Sequence, residues 1–196
     1  MRRPFVPALF LAAAVAVVPL ARPAPAQVSS DSSAAPLGYY RFPAIHGDVI
    51  VFTAEGDLWR VGTRGGVARR LTTHPAEEAH AAISPDGRTI AFTAEYEGPA
   101  EVYTMPIDGG VPVRRTYDGG GAEVVGWTPD GRILYTTRRY STLPNAQLVV
   151  IDPGPRPEPT LLAQKASAIG QRRTVLPLAQ AADGSYAPDG TLFFTR

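Results

Sequence analysis

Short apolar-rich runs, in which large and small side chains alternate and which glycine and proline separate, fill the chain from Tyr39 onward. Residues 89–93 (TIAFT) and 101–105 (EVYTM) are typical of these runs. Such spacing predicts short, at least half-buried β-strands. No window of about 11 residues after Tyr39 combines a convincing 3.6-residue apolar period with the absence of Gly and Pro, and residues 161–169 come nearest to an exception. The pattern therefore predicts an all-β fold.

The strands belong to a unit that repeats along the chain. The clearest copy covers residues 81–118, the next covers residues 124–163, an earlier one covers residues 42–74, and a fourth opens at Ser185. A Pro-Asp-Gly turn marks the unit, because Pro presets φ, Asp bonds the backbone and Gly accepts a positive φ. In the earliest copy His46-Gly47-Asp48 takes the place of this turn.

The spacing of the copies identifies the architecture. Gly47 and Gly87 lie 40 residues apart, and Gly87 and Gly131 lie 44 apart. A period of about 40–45 residues with four strands per unit is typical of β-propeller blades. A β-sandwich is the alternative, since short regular strands suit it too, but a turn repeated at a fixed phase favours the propeller.

We therefore predict an all-β, incomplete β-propeller of four-stranded blades over residues 39–196. The expected blades cover residues 39–80, 81–123 and 124–184, and a fourth begins at residues 185–196. Because propellers close with about four to eight blades, these roughly three and a half blades lead us to expect a fragment or truncated product of a longer protein. Total blade number is left open.

The N-terminus has the order of a secretory signal peptide. Met1-Arg2-Arg3 is positively charged, residues 6–20 are almost entirely apolar, and Ala24-Pro25-Ala26 is a small-x-small cleavage pattern. We predict a signal peptide at residues 1–26, cleaved after Ala26, and a disordered lead at residues 27–38. A stable membrane anchor is the competing interpretation, but the apolar run falls short of the roughly 20 residues that span a bilayer. The protein is thus expected to be periplasmic or secreted.

Composition narrows the classes of function. The chain has no cysteine, so disulfides and thiolate chemistry are excluded. Without the three arginines of the predicted signal peptide, 16 basic residues stand against 18 acidic ones. This balance gives no reason to expect nucleic acid as a partner.

Three stretches resemble one protein family. Residues 38–61 (GYYRFPAIHGDVIVFTAEGDLWRV), 65–110 and 176–196 closely resemble the N-terminal propeller of bacterial tricorn-type serine proteases. The Pro-Asp-Gly repeat alone is less specific, because TolB-like propellers share it. The resemblance implies a large exported serine peptidase with a PDZ domain and a catalytic domain beyond this region. The propeller would then contribute to access or channelling of peptides or unfolded polypeptide, and a homo-oligomer is compatible with it.

No catalytic, cofactor-binding or metal-binding residue is predicted in this chain, and no residue matches the catalytic motif of the family. The rival hypothesis is a stand-alone TolB-like periplasmic propeller that binds proteins. A Gly-x-Ser-x-Gly nucleophile motif is absent from the sequence, and Ser84 is predicted to bond the backbone of its own turn.

One loop is predicted to face substrate. His74, Glu77, Glu78 and His80 place two imidazoles and two carboxylates within seven residues. Their spacing matches no established zinc motif, and Pro75 disfavours a helix that would gather them. The simpler interpretation is a polar loop between blades, but loops on one propeller face carry function in such folds.

Other conspicuous residues are predicted to be structural. Three glutamates that follow the second strands are expected to be solvated, since Glu is rarely buried. The arginine pairs of the outer strands are expected to be solvated charge. Aromatic residues that recur at the blade period are expected to fill the contacts between blades. The glutamates are Glu55, Glu95 and Glu97, and the arginine pairs are Arg69-Arg70 and Arg114-Arg115. The aromatic residues are Phe52, Trp59, Phe92, Tyr103, Trp127 and Tyr135.

Overall fold

The computed structural model describes residues 38–154, 172–178 and 180–195. The predicted signal peptide, most of the predicted disordered lead and residues 161–169 lie outside these ranges. The first sheet contains β1 (Tyr40–His46), β2 (Val49–Ala54), β3 (Asp57–Gly62) and β4 (Arg69–Arg70). The second contains β5 (Glu78–Ile83), β6 (Thr89–Ala94), β7 (Glu101–Pro106) and β8 (Val113–Arg114). The third contains β9 (Ala122–Trp127), β10 (Ile133–Thr137), β11 (Gln147–Ile151) and β12 (Arg173–Val175), and β13 (Asp183–Tyr186) with β14 (Leu192–Thr195) forms a two-stranded fourth sheet.

Each sheet is an antiparallel meander whose strands pair in chain order or its reverse. The first strands of successive sheets are neighbours, β1 with β5, β5 with β9 and β9 with β13. Sheets that meet along their first strands in this way form the blades of a propeller. No helix occurs in the ranges that the structure describes, so the predicted fold class is confirmed: all-β, with four-stranded blades in an open, incomplete propeller.

The repeated turn has the predicted geometry. Gly87, Gly131 and Gly190 have φ values of +71°, +83° and +88°. The N–H of Gly87 donates to the carbonyl of Ser84 at 2.8 Å, and the other two glycines make the same bond at 3.0 Å. The Ser84 hydroxyl accepts the N–H of Thr89 at 3.0 Å, the local backbone bond predicted for it, and donates to the Asp86 side chain at 2.5 Å. This hydrogen bond lowers the pKa of Asp86.

Blades are held together by apolar side chains that alternate between neighbours. From β6, Ile90 and Phe92 face the first sheet, where Val51 and Leu58 meet them. Ala91, the residue between Ile90 and Phe92, faces the third sheet instead. A strand covered on both faces requires an almost continuous apolar run, which explains the sequence of β6. Each face of a middle blade therefore belongs to a different core.

The recurrent aromatic residues occupy these contacts. Phe92 and Tyr135 are fully buried, Tyr103 is 4% exposed and Phe52 is 9% exposed. The Phe92 and Tyr103 rings stack with centroids 5.9 Å apart. The prediction that aromatic side chains fill the contacts between blades is therefore confirmed for Phe92, Tyr103 and Tyr135. Phe52 instead meets Tyr40 of its own blade, with ring centroids 5.2 Å apart. The two tryptophans, at positions 59 and 127, are only half-buried.

The boundary between the first two blades differs from the one expected. β5 begins at Glu78 rather than at Ala81, and Glu78 pairs with Ala94 of the second sheet. The N–H of Glu78 donates to the carbonyl of Gly56 at 2.8 Å, which carries the strand back towards the first blade. The pattern missed these residues because Glu78 and His80 are polar and a polar run between strands is typical of a loop.

Candidate functional site

The four residues predicted to face substrate do not form one group. His74 and Glu77 lie in the connection between β4 and β5, whereas Glu78 and His80 lie on β5 itself. His74 and Glu77 are exposed, Glu78 is buried and His80 is half-buried. The structure therefore divides the predicted loop into a surface part and a strand part.

The surface part is built on an aromatic platform. The His74 ring lies against the Tyr96 ring with centroids 4.1 Å apart. Nδ1 of His74 accepts the N–H of Ala76 at 3.1 Å, which fixes the orientation of the imidazole. Glu77 forms an ion pair with Arg41 of β1, and both side chains are partly exposed. This part can offer a planar ring and a carboxylate to a molecule in solvent.

Glu78 cannot contact a ligand from its present position. Its side chain is fully buried and accepts hydrogen bonds from the Thr72 hydroxyl and, at 2.6 Å, from the Tyr96 hydroxyl. Burial raises the pKa of Glu78, and the two hydrogen bonds oppose this effect. Glu78 was predicted to belong to a substrate-facing loop. In the structure it is instead buried at the seam between the first two blades.

His80 connects the first strands of three blades. Its ring packs on Phe42 of β1 with centroids 4.0 Å apart, and its Nε2 lies 3.1 Å from Oε1 of Glu123 on β9. The side chains of His80 and Glu123 are 32% and 48% exposed. Since the first strands of the blades surround the axis of a propeller, this trio lies on the axis side of the sheets.

The backbone at the His80 trio is unusual. His80 and Phe42 have φ values of +51° and +50°, in the left-handed region that residues with a Cβ avoid. Strand pairing is interrupted at both positions, between Ala79 and Ala82 and between Arg41 and Ala44. A β-bulge redirects side chains and is often found beside functional sites. Sequence reasoning selected His80 but missed Phe42 and Glu123, because only the fold brings the three strands together.

The carboxylates at the ends of the second strands are solvated, as predicted. Glu55, Glu95 and Glu97 are exposed. Glu97 also accepts a hydrogen bond from Arg114 at 2.8 Å. They do not form the cleft-bound acid and base pair that general acid–base chemistry requires.

The prediction that the outer-strand arginines are solvated is wrong for Arg114 and Arg115. Arg114 donates to Glu101 at 3.1 Å and lies over the Tyr117 ring at 4.3 Å. Arg115 is 7% exposed and donates from Nε to the Thr104 hydroxyl at 2.7 Å. Burial lowers the pKa of Arg115 to about 10. In the second blade both arginine side chains are therefore held by neighbouring groups rather than free in solvent.

The first blade shows a weaker form of the same arrangement. Arg70 forms an ion pair with Asp57 and remains partly exposed, while Arg69 donates to the carbonyl of Asp108 in the second blade. In both blades the acid precedes its arginine by 13 residues. That repeated spacing is the sequence signal that could have identified the buried pairs.

Open clefts lie between the second and third blades. One of about 1070 Å³ is bordered by the Pro-Asp-Gly turns, with Asp86, Trp127 and Asp130 among its lining residues. A smaller cleft of about 420 Å³ lies at the opposite ends of the third blade's strands, extends to Ala182 beside the fourth sheet, and includes Gly121 and Glu123. The smaller cleft thus shares Glu123 with the His80 trio.

The described ranges contain neither a metal-ligand cluster nor a membrane-spanning helix. No three His, Asp or Glu side chains come together there as metal ligands. No described helix is both long and apolar enough to cross a bilayer.

The fold and its repeated seams define a β-propeller, and comparison with known proteins identifies the family. The model of the tricorn protease N-terminal beta propeller domain matches residues 37–196. This chain belongs to that family.

Relatives of known name agree with the assignment. Tricorn protease homolog 1 of Streptomyces coelicolor is 42% identical over 97 residues, which is 49% of this chain and 9% of that protein. Putative tricorn protease homolog 2 of the same organism is 34% identical over 159 residues, 71% of this chain and 13% of that protein. The chain spans about a tenth of the length of these two relatives. A putative Tricorn-like protease N-terminal subunit of Sulfurisphaera tokodaii is 30% identical over 112 residues, 55% of this chain and 56% of that protein.

Solved structures share the fold. The crystal structure of the tricorn protease matches with a TM-score of 0.63 and 24% identity, covering 80% of this chain and 15% of that one. A putative TolB from Agrobacterium tumefaciens matches with a TM-score of 0.62 and 23% identity, covering 80% of this chain and 53% of that one. Identities at this level establish the propeller fold alone.

Proposed function

We propose that this chain is the N-terminal propeller segment of an exported tricorn-like serine peptidase and contributes to the access of peptide substrates. The observation that carries the proposal is the family match over residues 37–196. The relatives of known name that it matches include tricorn protease homologs. In this proposal the segment itself is not catalytic, and the catalytic residues lie in other parts of the parent protein.

The His80 trio is the proposed point of contact with a passing peptide. Phe42 and His80 offer ring faces, and Glu123 offers a carboxylate that is 48% exposed. These groups suit a positively charged or aromatic side chain. His74 on Tyr96 would provide a second, outer contact.

Peptide turnover by the full-length parent tests this role. We expect His80→Ala and Glu123→Gln to raise KM for long peptides several-fold, with kcat unchanged, because exposed contacts of this kind contribute about 0.2–1 kcal/mol each. Glu95→Gln, at an exposed carboxylate outside the trio, is the control. Unchanged KM in both variants would remove the trio from the substrate path.

Export is a separate part of the proposal. It rests on the order of the charged, apolar and small-residue segments in residues 1–26. N-terminal sequencing of the mature protein from the periplasm or medium should begin at Gln27. A cytoplasmic protein that retains residues 1–26 would contradict it.

A stand-alone TolB-like module that binds proteins is the second candidate. It is favoured by the fold that this chain shares with a putative TolB from Agrobacterium tumefaciens, at a TM-score of 0.62. The two candidates differ in what the coding region beyond Arg196 encodes.

A further inference from the structure

Two buried carboxyl groups lie at the seam between the first and second blades. Asp57, the first residue of β3, is 2% exposed, and Glu78, the first residue of β5, is fully buried. The N–H of Glu78 donates to the carbonyl of Gly56, the neighbour of Asp57, at 2.8 Å. Burial, and then the charge of Asp57, disfavour ionisation of Glu78.

One oxygen of Asp57 lacks a donor. Oδ2 of Asp57 accepts a hydrogen bond from Arg70, while Oδ1 is buried and has no hydrogen-bond partner within the described part of the chain. A buried acceptor without a donor costs about 1–3 kcal/mol, and more when it is charged. A donor for Oδ1 is therefore expected.

Comparison with the second blade shows which hydrogen-bond donor Asp57 lacks. There Glu101 occupies the position of Asp57. It accepts hydrogen bonds from the hydroxyl of Thr116 and, at 2.9 Å, from the N–H of Gly119. The threonine of the first blade at that position is Thr72, and its hydroxyl donates to Glu78 instead. In the second blade the threonine hydroxyl remains available to Glu101, because Ala122 stands at the position of Glu78.

The other groups around Glu78 do not replace the missing donor. The Tyr96 hydroxyl donates to Glu78 itself, and burial raises the pKa of Tyr96. His74 and Tyr103 contact the Tyr96 ring, at 4.1 and 4.7 Å between centroids. Arg70 is the one cation that bonds either acid among the described residues. One positive charge thus faces two carboxyl groups.

We propose that Asp57 and Glu78 hold a single shared proton, carried by Glu78 and directed towards Oδ1 of Asp57, and that this proton ties the first blade to the second. The pair then has one negative charge, which Arg70 balances. Loss of the proton leaves two buried anions against one cation and loosens the seam. This inference does not depend on the proposed role in peptide access.

The direction of the pH effect follows from the environment of Glu78. Burial first, and the charge of Asp57 further down, raise the pKa of Glu78 in the folded protein. The stabilisation is complete below the ordinary Glu value of about 4.3 and is lost as pH rises through the raised value. Between the two values, each pH unit changes the opening equilibrium of the seam by up to about tenfold.

Hydrogen exchange of two amides in the full-length protein tests the proposal. The Leu58 N–H donates to Thr72 at 2.9 Å, and the Val102 N–H makes the equivalent bond to Thr116 at 2.8 Å. We expect the protection of Leu58 relative to Val102 to fall by up to about tenfold per unit as pH rises above about 4.3. The ratio cancels the intrinsic pH dependence of exchange.

Substitutions and a chelator distinguish a shared proton from a bound metal cation. Glu78→Gln keeps a neutral donor, so the ratio should stay at its low-pH value at every pH. Glu95→Gln, at an exposed carboxylate outside the seam, is the control and should leave the pH dependence of the ratio in place. A ratio independent of pH in the unmodified protein would overturn the proposal. So would loss of Leu58 protection on chelation with EDTA, which would assign a metal cation to Oδ1 of Asp57 instead.

Discussion

The seam between the first two blades depends on Phe92 more than on any polar contact at its surface. Phe92 is fully buried, stacks on Tyr103 at 5.9 Å and meets the edge of Tyr96 at 6.4 Å. Phe92→Ala should therefore leave a cavity between two sheets whose strands cannot collapse inward. The expected cost is about 3–5 kcal/mol, a large part of the roughly 5–15 kcal/mol that stabilise a domain.

Urea denaturation at low protein concentration measures this loss. Fluorescence of Trp59 and Trp127 reports on the first and third blades, because each lies in a different sheet. Val111→Ala is the control, since Val111 is 79% exposed and its loss should change stability by less than about 0.5 kcal/mol. A loss below about 1 kcal/mol for Phe92→Ala would refute the argument that this seam carries the packing.

Two other changes test the turns and the open faces. Gly87→Ala should destabilise the chain by more than Gly131→Ala. Both glycines have a positive φ, but only at Gly87 would a Cβ meet another side chain, that of His46, at 2.8 Å. Urea denaturation of the two variants measures the difference, and equal losses of stability would contradict the expected clash with His46. Ile45 is 68% exposed on β1, the edge strand of the first sheet, and an exposed apolar edge strand promotes self-association. Ile45→Lys should therefore reduce self-association of the chain. Unchanged sedimentation of the variant would show that this edge does not cause self-association.

The repeat made the fold predictable. The phase of the Pro-Asp-Gly turn located β6, β7 and their counterparts, because φ-positive glycines and alternating apolar residues are local properties. The beginning of β5 was not predictable in the same way. Glu78 and His80 are strand residues for reasons that lie in other blades: a seam that buries Glu78, and a bulge that turns His80 towards Phe42 and Glu123.

The candidate site was only partly predictable for the same physical reason. Sequence identified polar residues close together along the chain, but burial and pairing separate them in the fold. Arg115 and Glu78 were expected to be in solvent and are buried. Equivalent positions compared across blades contain this information, since Asp57 with Arg70 and Glu101 with Arg114 keep one spacing.

The proposed function is tested most directly by the sequence of the coding region beyond Arg196 in the source genome. The account predicts further blades followed by a PDZ domain and a serine-peptidase domain in the same reading frame. A stop codon shortly after the remaining blades of one propeller would contradict it and would support a protein-binding module of the TolB kind.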